Sequence, residues 1–195
     1  TDDILIGATN ISAGSTQWLV CISKHSGKFL WQKKLGPGFW RELAFLSSSQ
    51  AVAVLDTGAF FFDLDGNLTG EHRSDGTIVS AIVSDASGTA IAVVPSFYQE
   101  TGGVLGRSQV LYLSNDAAVN WARTCPDLYP RLVAFDMLIV ALGQNTVTAY
   151  QLQDGRILSS FRVKGHPKAC AKGVILVESN GEISLVSHEI LKACR

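Results

Sequence analysis

The sequence predicts an all-β protein, and three observations support this prediction. The apolar stretches are short, rich in Val, Ile, Phe and Leu, and separated by Gly, Asn, Asp and Ser, which is typical of strands joined by tight turns. The turn clusters recur about every 8 to 12 residues, a spacing typical of sandwiches, barrels and propellers. One pattern of strand, turn and strand also repeats along the chain, with no convincing helical segment between the copies.

The repeat is clearest in three segments that align almost without gaps, at residues 53–68, 140–158 and 175–191. Each segment predicts three strands joined by two tight turns, with Gly or Asn where a hairpin needs a positive φ. Two looser copies lie at 18–31 and 110–121. The second turn of successive copies lies roughly 33 to 51 residues after the one before, at Gly27, Gly66, Ala117, Gly155 and His188.

A further strand containing small residues precedes each later copy, as expected of strands that crowd toward a central axis. These strands are predicted at 43–46, 78–82, 132–135 and 169–171. A period of about 40 residues with four strands per unit predicts a β-propeller of about five four-stranded antiparallel blades. We expect one propeller domain over residues 1–195, with blades at approximately 1–36, 37–73, 74–124, 125–164 and 165–195.

The first copy has no inner strand, because only the apolar residues 4–6 precede Trp18. The predicted total is therefore about 19 strands, one short of five complete blades. A propeller usually closes by borrowing a strand from the opposite terminus, but segment 190–194 already serves as the outer strand of the fifth predicted blade. The alternatives are a ring without this latch, part of a larger propeller, or a blade completed by a partner, and we favour the larger propeller.

Residues 26–31, preceded by the strand at 19–23, resemble the repeat of PQQ-like (quinoprotein alcohol dehydrogenase-like) propellers. That family repeats a strand followed by a D-x-x-T-G-K-x-L-W turn and strand. Residues 65–68 and 154–158 are similar but lack the tryptophan, whereas residues 115–121 keep the tryptophan and lose the glycine. The resemblance spans nearly the whole chain and implies a propeller.

The resemblance does not extend to the chemistry of the quinoprotein dehydrogenases. Those enzymes have eight blades, tryptophan docking in most blades, a vicinal disulfide over the cofactor, and a calcium ion held by Glu, Asn and Asp. This chain has about five predicted blades, motif tryptophans at Trp31 and Trp121, and no adjacent cysteines. Many relatives in this superfamily are non-enzymatic scaffolds, so the resemblance implies a scaffold without a cofactor.

Composition and motifs also argue against catalysis. The chain is 47% hydrophobic and 17% charged with a net charge of −1, which excludes a disordered chain and gives no case for nucleic acid. No apolar run approaches the roughly 18 residues of a membrane helix. The cysteines form no C-x-x-C pair and are expected to be buried thiols, the histidines form no metal-binding pair, and no G-x-S-x-G elbow is present. We therefore predict no enzyme activity, no catalytic residue, no metal and no cofactor.

Candidate binding residues lie on the links that enter the inner strands. In a propeller these links share one face and border the central channel, so their cations are expected to form part of a basic rim. Aromatic and Arg side chains are the usual anchors of a binding surface. The alternative is that the aromatic residues pack between blades while the cations are solvated. The residues are Trp40, Arg41, Tyr129, Arg131, His166 and Lys168.

The insertion at 96–107 is the second candidate surface, because loops on a rigid scaffold commonly carry recognition. Phe97 and Tyr98 are either exposed anchors there or fold back on their own blade. The sequence favours a protein-interaction or scaffolding propeller with protein partners and assembly through an open blade edge. The alternatives are a propeller that binds a sugar or another small ligand, and a cofactor-dependent enzyme that uses the channel.

Overall fold

The computed structural model describes residues 3–10, 16–84, 88–95, 107–135, 137–171 and 174–187. The strands in these ranges form five antiparallel sheets, in each of which neighbouring strands follow one another in the chain. The first sheet holds β1 (Asp3–Asn10), β2 (Thr16–Ser23) and β3 (Phe29–Pro37), and the second holds β4 (Trp40–Phe45), β5 (Gln50–Leu55), β6 (Gly58–Asp63) and β7 (Leu68–Arg73).

The other three sheets repeat this plan. The third sheet holds β8 (Gly76–Ser84), β9 (Gly88–Pro95), β10 (Gln109–Leu113) and β11 (Val119–Thr124). The fourth holds β12 (Arg131–Phe135), β13 (Leu138–Leu142), β14 (Thr146–Gln151) and β15 (Ile157–Arg162), and the fifth holds β16 (His166–Ala171), β17 (Val174–Ser179) and β18 (Glu182–Ser187). The predicted all-β fold of antiparallel blades is confirmed.

The two three-stranded sheets lie at the two ends of the series. In the first sheet, β3 follows the Gly27 turn as β7 follows the Gly66 turn. The position without a strand among the described residues is therefore the inner one, which β4, β8 and β12 fill in the next three sheets. This is the strand position that the sequence predicts to be empty in the first unit. The outer strand predicted at 190–194 lies outside the described residues.

The core consists of apolar clusters, each shared by two consecutive sheets. Side chains alternate between the two faces of a strand, and in the middle strands of the second and fourth sheets both faces are covered. In the second sheet, for example, Val52 and Phe61 pack toward the third sheet, whereas Leu55 and Phe60 pack toward the first. Burial on both faces explains the nearly continuous apolar runs of β5, β6, β13 and β14.

Two tryptophans on outer strands dock onto turn glycines of the next sheet. The Trp31 Nε1–H donates to the Leu64 carbonyl at 2.7 Å, and a Cβ added at Gly66 would lie 2.6 Å from Trp31 Cδ2. The Trp121 Nε1–H donates to the Leu152 carbonyl at 2.8 Å, and its ring covers Gly155 in the same way. Both glycines have a positive φ, so Gly suits the turn as well as the close approach.

Between these two docked pairs the pattern is reversed. In β7, Gly70 occupies the position that Trp31 and Trp121 occupy in their strands. Gly70 lies against the turn at Ala117, and a Cβ added at Gly70 would be 2.6 Å from the Asp116 carbonyl oxygen. Ala117 itself adopts a φ of 68°. A tryptophan therefore stands opposite a turn glycine, and a glycine stands opposite the turn alanine, which accounts for the irregular copies of the repeat motif.

Candidate interaction surfaces

The inner strands of consecutive sheets lie side by side, β4 next to β8, β8 next to β12 and β12 next to β16. The Leu132 backbone N–H donates to Ser80 Oγ at 3.0 Å and so ties β12 to β8. This arrangement places the links that enter the inner strands around a common mouth, which we call the channel mouth.

Arg41, Tyr129 and Arg131 meet at the channel mouth. Together with Thr77, Val79, Ser80 and Pro130 they line one open cavity of about 360 Å³. Tyr129 is 64% exposed, and both arginines are exposed. Neither guanidinium forms an ion pair with a described carboxylate, although Arg131 Nη1 donates to the Lys168 carbonyl at 3.0 Å. The structure thus brings together three of the predicted binding residues.

β-Bulges shape the inner strands at this mouth. The pairing register shifts between Trp40 and Glu42 in β4, between Ile78 and Ser80 in β8, and between Pro167 and Ala169 in β16. The extra residues are therefore Arg41, Val79 and Lys168. A bulge bends its strand and redirects the extra side chain, so the direction of these side chains does not follow from simple alternation.

Trp40 packs between the first two sheets. A Cβ added at Gly7 would lie 2.7 Å from Trp40 Cε2, and the half-buried ring joins the apolar cluster shared by these sheets. Its Nε1–H is buried without a hydrogen-bond partner among the described residues. Trp40 also lines a cavity of about 330 Å³ with Arg41 and Glu42. Burial raises the pKa of the Glu42 carboxyl, an effect partly opposed by the Leu43 N–H that it accepts at 3.1 Å.

The remaining predicted residues are placed differently. Lys168 Nζ pairs with Glu178 Oε2 at 2.9 Å, and hydrogen bonding and attraction by this ammonium lower the pKa of Glu178. His166 Nδ1 lies 2.8 Å from the Gln144 carbonyl. Neither residue lines the cavity at Arg41 and Arg131. Phe97 and Tyr98 lie outside the described residues.

Asp127 anchors the link that carries Tyr129 and is not among the predicted site residues. Its carboxylate accepts the Gln144 N–H at 3.1 Å and the Thr146 hydroxyl, while its carbonyl accepts the Ser108 hydroxyl. These bonds hold the link 125–130 against β10 and the β13–β14 turn. The Pro-Asp pair at 126–127 is the signal that could have identified it, because these residues favour turns in which the Asp side chain bonds to backbone.

No residue that the structure describes covers the outward face of the fifth sheet. Ile183 and Leu185 are 69% and 71% exposed. Val186, which points to the other side of β18, packs against the cluster shared with the fourth sheet. The strand register aligns Ile183 and Leu185 with Ala59 and Phe61 of the second sheet, which are completely buried against the third sheet. The sequence predicts open strand edges, and the structure adds apolar side chains that no described residue covers.

The first sheet has a comparable face at the opposite end. Leu19 and Cys21 are buried toward the second sheet, at 0% and 1% exposure. The alternating side chains of β2, Trp18, Val20 and Ile22, are only half-buried. Both end faces therefore carry apolar side chains, although Glu178 lies opposite Ile183 on the outward face of the fifth sheet. After the first and fifth sheets, we call these apolar groups the blade 1 end face (Trp18, Val20, Ile22) and the blade 5 end face (Leu176, Ile183, Leu185).

Reactive groups in the described part of the chain are few. It contains no group of three or more His, Cys, Asp and Glu residues that could hold a metal ion. Cys21, Cys125 and Cys170 are buried, and burial raises the pKa of Cys125 and raises that of Cys170 to about 11. None of these segments is a helix long and apolar enough to cross a membrane.

No family model and no curated protein matches this chain. Among solved structures, BamB from Moraxella catarrhalis superposes on 100% of the chain with a TM-score of 0.66 and 14% identity, and Sqt1 from Saccharomyces cerevisiae on 94% with a TM-score of 0.61 and 13% identity. Both are β-propellers. The chain has a β-propeller fold. Its five sheets are therefore five blades, numbered here in chain order.

A third solved structure also supports the propeller assignment. A protein of unknown function from Bacteroides caccae matches 95% of the chain with a TM-score of 0.58 and 14% identity, and the match covers 72% of that protein. The chain spans 57% of the BamB and Sqt1 chains. At these identities the likeness establishes the propeller fold, while membership of the PQQ-like superfamily stays a prediction.

Proposed function

We propose that this chain is a non-catalytic propeller segment that binds other proteins through the end faces of blades 1 and 5, as part of a larger protein or complex. The observation that carries this proposal is the exposure of Ile183 and Leu185 at positions whose counterparts in blade 2 are completely buried. Burying one such side chain stabilises an assembly by roughly 1.5 to 3 kcal/mol. Exposed apolar faces of this kind mark interaction surfaces.

The geometry of the two ends favours a protein partner over a small ligand. The blade 5 end face corresponds to the face that blades 1 to 4 turn toward the following blade. The blade 1 end face corresponds to the sheet face of blades 2 to 5 that packs against the preceding blade. A protein that presents a blade-like apolar sheet therefore fits each end. That the chain spans only 57% of two other propellers supports the same proposal.

Association of the purified chain tests this function. We expect the wild-type protein to form larger species as its concentration rises, because the two end faces are complementary between copies. Leu185→Asp is expected to weaken this association at least about tenfold, since it places a charge in an apolar interface. Sedimentation velocity over a wide range of concentrations measures the effect.

Ile157→Asp is the matched control, because Ile157 is an exposed aliphatic residue, at 49%, on an outer strand away from both end faces. This variant should associate like the wild type. A wild-type protein that stays monomeric at every concentration, with a single cooperative unfolding transition, would contradict the proposal and favour a self-sufficient ring.

A second candidate function is the binding of an acidic ligand at the channel mouth. It is favoured by the two guanidinium groups of Arg41 and Arg131, which lack a carboxylate partner among the described residues and share a cavity with the exposed Tyr129 ring. Arginine suits carboxylates because its planar fork donates two parallel hydrogen bonds. A carboxylate-bearing peptide or small molecule would fill this cavity.

Calorimetric titration with citrate tests the second function. We expect saturable binding that weakens with salt, and a loss of about tenfold in affinity in Arg41→Ala, because a hydrogen bond to a charged group contributes roughly 1.5 to 3 kcal/mol. Arg162→Ala is the control, since Arg162 is exposed on β15 outside the cavity. Equal affinities of the wild type and Arg41→Ala would refute a ligand site at this mouth.

A further inference from the structure

The turn at Gly27 in blade 1 has the same conformation as the turn at Gly155 in blade 4. The two glycines have φ values of 64° and 69°. In the first turn, Ser23 N–H donates to the Lys28 carbonyl at 2.9 Å and Gly27 N–H to the Ser23 carbonyl at 2.8 Å. In the second turn, the matching bonds of Gln151 and Gly155 measure 2.8 and 2.9 Å.

A side-chain bond also matches. The Lys28 N–H donates to Ser26 Oγ at 3.3 Å, and the Arg156 N–H donates to Asp154 Oδ1 at 2.9 Å. The two turns therefore present their backbone groups in the same way, and what binds one turn can bind the other.

The Gly155 turn is covered by the outer strand of the preceding blade. The indole of Trp121 lies on the glycine, where an added Cβ would be 2.5 Å from Cδ2, and its Nε1–H donates to the Leu152 carbonyl. Two residues later, Arg123 donates from Nε to the Gly155 carbonyl at 3.1 Å and from Nη2 to the Asp154 carbonyl at 2.6 Å. The segment of the outer strand that covers the Gly155 turn thus has the pattern Trp-x-Arg.

Among the residues that the structure describes, no outer strand covers the Gly27 turn in this way. Gly27 is exposed, whereas Gly66 and Gly155 are buried. No described atom lies within 4 Å of a Cβ added at Gly27. The carbonyls of Lys24, Gly27 and Ser26 stand in the places of the three acceptors at the Gly155 turn.

The tryptophans of this sequence are already placed elsewhere. They are Trp18, Trp31, Trp40 and Trp121. Trp31 covers Gly66, Trp121 covers Gly155, and Trp40 lies on Gly7. Trp18 is paired within blade 1 at the far end of β2 from the Gly27 turn. The occupant of the Gly27 turn therefore does not come from these four indoles.

We infer that the Gly27 turn is a docking site for a Trp-x-Arg segment on the outer strand of a propeller blade that lies outside these 195 residues. The indole would cover Gly27 and donate to the Lys24 carbonyl, and the guanidinium would donate to the Ser26 and Gly27 carbonyls. This inference rests on the proposed function, because it names the chemistry of the partner at the blade 1 end.

Titration of the full chain with a peptide of the sequence of residues 115–124 tests this inference. The peptide carries 5-fluorotryptophan in the place of Trp121, and its ¹⁹F resonance reports on the indole alone. We expect a saturable shift with the wild-type chain. The same peptide with alanine in place of Arg123 should bind more weakly, and a 5-fluorotryptophan amide without the peptide should give at most a small shift.

The decisive variant is Gly27→Asn, because asparagine tolerates a positive φ and its side chain fills the place of the indole. It should weaken peptide binding at least about tenfold, since close-packed surfaces leave no room for the added atoms. Gly181→Asn is the matched control. Gly181 has a φ of 81° and open space around an added Cβ, but lies on the β17–β18 turn of blade 5.

Three results would overturn the inference: no ¹⁹F shift up to the solubility limit of the peptide, equal binding by Gly27→Asn, or equal loss in Gly181→Asn. If Gly27→Asn does not fold, the arginine-to-alanine peptide decides, and its unchanged affinity for the wild type also overturns the inference. Loss of association in Leu185→Asp is measured without the peptide and at the opposite end of the chain. A failure of the Gly27 site is therefore distinguishable from a failure of the proposed function.

Discussion

Trp121→Ala is expected to lower the free energy of unfolding by about 3 to 5 kcal/mol. Trp121 is 5% exposed and stacks between two tyrosines, with ring centroids 5.7 Å from Tyr112 and 6.0 Å from Tyr150. Its removal opens a cavity between blades 3 and 4 and takes the indole donor from the Leu152 carbonyl. Both effects weaken the same interface between blades.

Equilibrium unfolding in urea, followed by circular dichroism, measures this loss. Val119→Ala is the control, because Val119 lies on the same strand but is 45% exposed, and it should change the free energy of unfolding by less than about 0.5 kcal/mol. A Trp121→Ala variant within about 1 kcal/mol of the wild type would show that blades 3 and 4 are not held together by this stack.

Gly155→Ala is expected to be more destabilising than Gly27→Ala, although the two turns are alike. An alanine in the left-handed region costs roughly 1 to 2 kcal/mol at either position. At Gly155 the added Cβ also lies 2.5 Å from Trp121 Cδ2, whereas at Gly27 no described atom is within 4 Å. Overpacking of this kind adds roughly 1 to 3 kcal/mol.

The comparison of these two variants removes the backbone contribution, because their φ values differ little. The difference between their free energies of unfolding, measured in urea under identical conditions, is therefore the cost of displacing the indole. Equal destabilisation of Gly155→Ala and Gly27→Ala would mean that Trp121 moves away without loss, and would contradict the docked arrangement at the blade 3 to blade 4 interface.

Several features of the fold were predictable because they depend on neighbours in the chain. Alternating and continuous apolar runs predict strands, and a glycine after a short polar segment predicts a turn with positive φ. Gly27, Gly66 and Gly155 all have that conformation.

The channel mouth was only partly predictable. Arg41, Tyr129 and Arg131 lie on equivalent links and line one cavity, whereas their role in binding stays a prediction. Lys168 occupies an equivalent link, yet it pairs with Glu178 across β16 and β17. The bulges that place Arg41 and Lys168 as extra residues of their strands have no clear signal in the sequence, because they depend on pairing with a second strand.

By itself, the sequence determined the repeating unit of this protein: the strands, the turn glycines and the tryptophans that follow them. Only the tertiary structure decided which turn each tryptophan covers, as with Trp31 and the Leu64 carbonyl, 33 residues apart. It also decided that Gly27, Ile183 and Leu185 face no partner among the described residues. The physical reason is that hydrogen bonds within a hairpin are set by local spacing, whereas burial of a blade face depends on a neighbouring blade.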